Sequence, residues 1–252
     1  MVKLFCDQNF SGESKIHYYK AGEEYNYWVV PHRWNLKAYK LTGPDGEIIA
    51  TLDDSILAVC SYSDAVDITL NLDELLSHIV SEPDLPDVYY FYFRKMYRHW
   101  EKDWRIALPD KVVKSLKPGS YRVEIDAELI DKAMPVFEYV LKGKTEKTIV
   151  LPGHLDHPGM VNDSLSGCFA ALQSIHKLEN SGEIPEYTYR VWWVPEIIGS
   201  AVHLKANEHL LKDILFTLHS NMTSHDARIA MCKSKRENSL MDYALEMAIS
   251  RA

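Results

Sequence analysis

After Lys144 the chain alternates apolar runs with helical patterns, and this alternation limits the fold more than any other feature. TIVLP is a continuous apolar run. SLSGCFAALQSIHKLEN carries Leu165, Cys168, Phe169, Leu172 and Ile175 at three- and four-residue spacings, and YRVWWVP is a second apolar run. A helix-like IGSAVHLKANEHLLKD follows, then a strand-like ILFTLHS, a further strand candidate at ARIAMC and a helix-like SLMDYALEMAIS. Strands and helices alternating at this spacing imply βα units, so the expected fold class is α/β with a mostly parallel central sheet.

The preceding hundred or so residues differ in texture. Between Tyr25 and Asp126 aromatic and β-branched residues are broken by the turn signals VPHRWN, TGPDGE, SEPDLPD and LKPGSY, the mark of short strands. In SYRVEIDAEL the alternation of Tyr121, Val123 and Ile125 predicts a half-buried strand. LNLDELLSHI, with Leu72, Leu75, Leu76 and Ile79, is the helical exception. The expected organisation is an N-terminal segment of the core at 1–24, a β-rich domain at 25–128 and an α/β core at 129–252. The aromatic segment VYYFYFRKMYRHW is read as domain packing.

A net charge of −8 argues against a nucleic-acid partner, which calls for basic patches. No apolar run approaches a membrane span or a signal peptide. Cys6, Cys60, Cys168 and Cys232 are widely separated and form no C-x-x-C pair, so a reduced, cytoplasmic setting is expected. A Gly-rich phosphate loop and a G-x-S-x-G elbow are both missing, which weakens nucleotide binding and serine hydrolysis.

Chemistry-bearing residues gather just beyond two predicted strands. LPGHLDHPGMVNDSLSG, from Leu151 to Gly167, brings His154, Asp156, His157 and Asp163 after the first, and Glu196 follows the second. Loops at the carboxyl ends of neighbouring parallel strands open on one edge of a sheet, where ligands bind. Imidazole and carboxylate suit zinc or a similar divalent ion, and a carboxylate beside such an ion can shuttle protons in metal-assisted hydrolysis. Asp156, two residues after His154, can instead accept the second ring N–H of a ligating histidine. Plainer readings stand beside these: Asp163 as a helix cap, and Glu196 as an acid favoured by a helix dipole. His219, His225 and Asp226 lie in a third strand-end segment, while His176, His203 and His209 fall in helical patterns and are expected to be packing or surface residues.

GHLD, NDSLSG and PEIIGS, in that order, resemble the zinc aminopeptidase superfamily that includes leucyl aminopeptidase-like metallopeptidases. WVVPHRWN, HPGMVNDSLSG and PEIIGS resemble more closely an aminopeptidase-like subfamily with an inserted β-rich domain of unknown function, linked to surface-polysaccharide gene clusters. The resemblance implies a phosphorylase/hydrolase-like zinc-peptidase core that holds one or two zinc ions. It implies His154 as a ligand, Asp156 as its orienting partner, Asp163 as a ligand and Glu196 as general base or ligand. His157 competes with His154, because the H-P step belongs to the subfamily pattern. Three departures are visible. Pro195-Glu196 supplies one glutamate where two are usual, Thr223 stands where a ligating aspartate is expected, and the chain ends at Ala252 before a further histidine. The expected function is zinc-dependent hydrolysis of a peptide or amide bond in a peptide or aminoacyl substrate. The alternatives are an inactive aminopeptidase-fold binding protein or fragment, or an amide hydrolase in surface-polysaccharide metabolism.

Overall fold

The computed structural model describes residues 1–90, 92 and 101–251. Most of the aromatic segment expected to pack, at 91 and 93–100, lies outside the described residues. The chain opens with α1 (Val2–Asn9), β1 (Glu13–Tyr19) and a small ladder of β2 (Glu24–Tyr25) with β3 (Trp28–Val29). Next come β4 (Arg33–Thr42), β5 (Ile48–Thr51), β6 (Val66–Asn71), α2 (Leu72–Leu76), β7 (Ile79–Val80), β8 (Ile106–Ala107), α3 (Asp110–Ser115) and β9 (Ser120–Ile130). The remainder holds β10 (Met134–Leu141), β11 (Thr148–His154), α4 (Ser166–Asn180), β12 (Thr188–Val194), α5 (Ile198–Ala206), β13 (Ile214–Thr217) and α6 (Leu240–Ile249). Two compact units result. One contains Met1–Tyr19, Glu23–Val30 and Met134–Ala252, and the other Lys20–Gly22 and Pro31–Ala133.

The second unit is built on an antiparallel sheet of order β5-β4-β9-β6. Tyr121, Val123 and Ile125 of β9 point into its core, as their two-residue period demands. The helix read into LNLDELLSHI is shorter than expected. It covers Leu72–Leu76 and starts at a capping box between Asn71 and Glu74, while Ile79 opens β7.

In the first unit five strands form a sheet of order β1-β10-β12-β11-β13. The expectation of a mostly parallel sheet is corrected here, because the sheet is mixed. β12 and β13 run parallel to β11, whereas β1 pairs antiparallel with β10 and β10 antiparallel with β12. The cause lies in the connections. A parallel return needs a crossover of about a dozen residues or more; α4 and α5 supply such crossovers, whereas only 142–147 separate β10 from β11. The strand candidate at ARIAMC is irregular chain, and Ile229 is exposed rather than packed in a ladder.

The two faces of this sheet are covered separately. Phe137, Tyr139, Leu141, Ile149, Leu151, Val191 and Trp193 pack with Cys168, Leu172 and Ile175 of α4. The alternate residues Val136, Val150, Trp192 and Val194 pack with Ile198 and Val202 of α5. Each such side chain contributes roughly 1.5–3 kcal/mol when fully buried. Gly153 permits the close fit on the first face, since a Cβ there would lie 2.8 Å from Cys168 Sγ.

Candidate metal centre

The register of β11 on β12 pairs His154 with Val194, so the two strands end level and their loops leave from one edge. That edge is where an α/β sheet presents its ligand crevice. All five residues singled out at the two strand ends, His154, Asp156, His157, Asp163 and Glu196, are brought together there.

His154 is the innermost, only 2 % exposed. Its Nδ1 lies 3.2 Å from Asp156 Oδ1, and the other oxygen of Asp156 accepts the Glu196 backbone N–H at 2.9 Å. Asp156 thus clips one strand end to the other while fixing the imidazole. The opposite nitrogen, His154 Nε2, faces Asp163 Oδ1 at 3.1 Å, yet it is buried without a hydrogen-bond partner. His157 Nε2 stands 3.8 Å from Asp163 Oδ2 and 3.5 Å from Glu196 Oε2. Donor atoms of His154, Asp156 and His157 also fall within 4.8 Å of one another, but both oxygens of Asp156 are engaged in orienting contacts. Asp163, His157 and Glu196 face the cluster more openly.

The local chain explains these positions. Val161–Leu165 forms a wide helical turn broken at Asp163, whose φ of −96° and ψ of 81° are not helical. The break turns its carboxylate toward His154, and Asn221 Nδ2 donates to Asp163 Oδ1 at 3.1 Å. The capping alternative does not hold, because α4 begins after Leu165 with no side-chain cap. Glu196 likewise precedes α5, whose first turn contains no acid. Behind Glu196, Ile197 has φ 57° and ψ −67°, and Ile198 N–H donates to Glu196 O at 2.6 Å. This is the rare, strained γ-turn, and such backbone costs on the order of 1–3 kcal/mol unless its surroundings enforce it.

The third strand-end segment divides. His219 stacks near His154, with ring centroids 5.9 Å apart and planes at 21°. Partial burial, and then the neighbouring His154, hold its pKa below the ordinary histidine value, although the ring keeps an exposed edge. His225 instead accepts the Ala227 N–H at 3.0 Å in an exposed turn. Asp226 is also exposed. Thr223 presents its backbone N–H to Ser166 Oγ at 2.9 Å, and Ser224 N–H donates to Asn162 Oδ1 at 2.9 Å. Asn162, Ser166 and Asn221 therefore support the site, a role not foreseen, although the first two lie inside NDSLSG.

The residues fit a divalent ion. A buried imidazole nitrogen that makes no hydrogen bond is unfavourable. Here it faces a carboxylate while its ring partner is already oriented, the arrangement typical of a ligating histidine.

The sequence pattern described as "Domain of unknown function (DUF4910)" matches residues 9–252. A "Putative polysaccharide biosynthesis protein with aminopeptidase-like domain" from Clostridium acetobutylicum is 32% identical over 200 residues, covering 79% of this chain and 45% of that protein. The crystal structure of a "putative peptidase" from Clostridium acetobutylicum superposes with a TM-score of 0.83 at 29% identity, covering 93% of this chain and 54% of the other. The chain thus spans about half the length of these two relatives. BSAP, a zinc aminopeptidase from Bacillus subtilis, gives a TM-score of 0.61 at 13% identity over 95% of this chain and 67% of that one, a likeness of fold. Among the described residues no helix is long and apolar enough to cross a membrane. The chain belongs to the DUF4910 family, and its mixed α/β fold is similar to that of zinc aminopeptidases.

Proposed function

We propose that this chain carries the zinc site of an aminopeptidase-like hydrolase that cleaves a peptide or amide bond in a peptide or aminoacyl substrate. The observation that carries the reading is His154 Nε2, buried, without a hydrogen-bond partner and paired by charge with Asp163 Oδ1 at 3.1 Å. His154, Asp163 and His157 would hold the ion, with Glu196 as a further ligand or as general base. A bound zinc supplies Lewis acidity toward a carbonyl and toward water.

The chain's own groups do the rest. Asp156 fixes the His154 ring and ties it to the Glu196 backbone, so the two strand ends move together. Asn221 holds one oxygen of Asp163 and thereby sets the direction of that carboxylate. The Glu196 side chain is 47% exposed, open enough to take a proton from water and return it to a departing amine.

Zinc content, measured on wild type, His154→Ala and Asp163→Ala, tests the site, with turnover of aminoacyl amides as the second readout. A loss of about one zinc equivalent, relative to wild type, in both variants supports the reading. Folded wild type whose zinc content neither substitution lowers, even when zinc is supplied, refutes it. Glu196→Gln separates its two roles: zinc retained with turnover abolished makes it the base, and zinc lost makes it a ligand.

Thr223 favours a second reading. Its segment sets a backbone N–H against Ser166 at the place where the aminopeptidase pattern expects a carboxylate, so the ligand set is reduced. A binding protein with this fold would take up zinc and turn over no amide. Hydrolysis of acylated amino sugars, with none of aminoacyl amides, would point to surface-polysaccharide metabolism.

A further inference from the structure

A second cluster of metal-ligating side chains lies on the α5 face of the same sheet. His17 of β1, Glu138 of β10 and His203 of α5 each place one donor atom within 4.8 Å of the others. His17 Nε2 is 2.8 Å from Glu138 Oε2. The second oxygen, Oε1, is held by Arg190 Nη1 at 2.7 Å and Trp192 Nε1 at 2.8 Å. His203 is fully buried, with Nδ1 at 2.6 Å from Tyr19 Oη. Its remaining nitrogen, Nε2, has no partner.

We infer that His17, Glu138 and His203 form a second site for a divalent transition metal ion, separate from the strand-end centre. Two imidazoles and one carboxylate are the donor set of many zinc sites that keep a position open. The surrounding contacts prepare each ligand. Arg190 and Trp192 take only one oxygen of Glu138, so its orientation is set while Oε2 remains for an ion. Tyr19 takes Nδ1 of His203, which fixes the ring and leaves Nε2 as the donor, the role outer groups play around ligating histidines. Without an ion Nε2 is a buried orphan, an unfavourable state that a hydrophobic residue would avoid.

Entry is from the His17 side. The side chain of His17 is 15% exposed against 8% for Glu138, while His203 is closed off. On binding, His17 Nε2 gives up its contact with Glu138 Oε2. Arg190 already neutralises Glu138, so the ion adds positive charge to a partly buried place. The site should therefore bind more weakly than a thiolate site. The ion would join β1 and β10 to α5, the helix that begins immediately after the Glu196 turn.

The test uses the whole chain with His154→Ala and Asp163→Ala combined, so that the strand-end centre is disabled. Zinc uptake is measured by elemental analysis after dialysis, and cobalt(II) is titrated while its visible absorption is followed. The inference expects one equivalent bound with the intense bands of a four-coordinate ion. Adding His17→Gln should weaken binding by about 100-fold or more and remove those bands. His17 is the preferred change because it is partly exposed and should leave the fold intact by circular dichroism; His203→Gln is the second. No bound ion in the folded double variant overturns the inference, and so does binding that survives His17→Gln. Loss of zinc from the strand-end centre alone leaves this result readable, so the two sites fail separately.

Discussion

Alanine at Gly167 tests how tightly the third strand-end segment is held against α4. A Cβ there would lie 1.8 Å from the Ser220 carbonyl oxygen and 2.7 Å from its carbon, whereas real Cβ contacts essentially never fall under 3.0 Å. The obstacle is backbone, so the segment must retreat by more than about an ångström, a shift in the overpacking class. Helix propensity alone would favour alanine by up to about 1 kcal/mol. The clash opposes this with about 3 kcal/mol, the upper end of the usual overpacking cost. The net loss is about 2 kcal/mol, and the melting temperature should fall by roughly 4–8 °C. The same retreat pulls Asn221 from Asp163 and Thr223 from Ser166, contacts of 3.1 and 2.9 Å. Zinc affinity at the strand-end centre should therefore drop by about tenfold or more. Thermal melts by circular dichroism and a zinc titration check both effects. An unchanged or raised melting temperature with zinc affinity intact would refute the reasoning, because the segment would then have slack.

Other outcomes follow from buried hydroxyl and thiol groups. Tyr139→Phe deletes a phenol that donates to Glu179 Oε1 and accepts the Gly12 N–H, both at 2.5 Å. Urea unfolding should show a loss of about 1–3 kcal/mol, and an unmoved midpoint would mean these contacts contribute nothing. Burial pushes the Cys6 thiol up to about 11 and Cys168 up to about 12, while Cys232 is exposed. At pH 8 a thiol reagent should modify Cys232 quickly and the other two only after unfolding; rapid labelling of Cys168 would contradict the packing around it. Above pH 9 unfolded thiols ionise while these stay protonated, so the unfolded state binds fewer protons and stability falls as pH rises. Cys6 alone should remove on the order of 2 kcal/mol by pH 11, measurable by urea unfolding. A flat profile there would argue against its burial.

The strand ends were legible because a continuous apolar run can place its polar successor only at the sheet's edge. TIVLP and YRVWWV became β11 and β12, and the residues after them met. Helix α4 was equally readable from the spacing of Cys168, Leu172 and Ile175. Strand direction was not, because apolar runs look alike whichever way they run, and the short link at 142–147 that reverses β10 carries no periodic signal. ARIAMC failed for a related reason: apolar spacing describes a strand only where a neighbour offers hydrogen bonds. His203 reads locally as packing or surface and is indeed buried, but nothing local ties it to His17 and Glu138, 186 and 65 residues away along the chain. The backbone of Ile197 was beyond reach as well. A β-branched residue at positive φ contradicts every local preference and exists only because the folded surroundings impose it.

That turn has a consequence for how the protein fails when heated. The strain at Ile197 is released if the few residues from Glu196 to Ile198 relax, with no need to disturb the sheet. Local opening of this kind needs less free energy than global unfolding and comes earlier on a temperature ramp. The carboxylate of Glu196 then leaves its position while β11, β12 and α4 are still assembled. If the proposed hydrolysis depends on that carboxylate, loss of activity and denaturation become two separate events, and a preparation can look native by its spectrum after activity is gone. Cooling should restore it, because the sheet that enforces the turn was never lost.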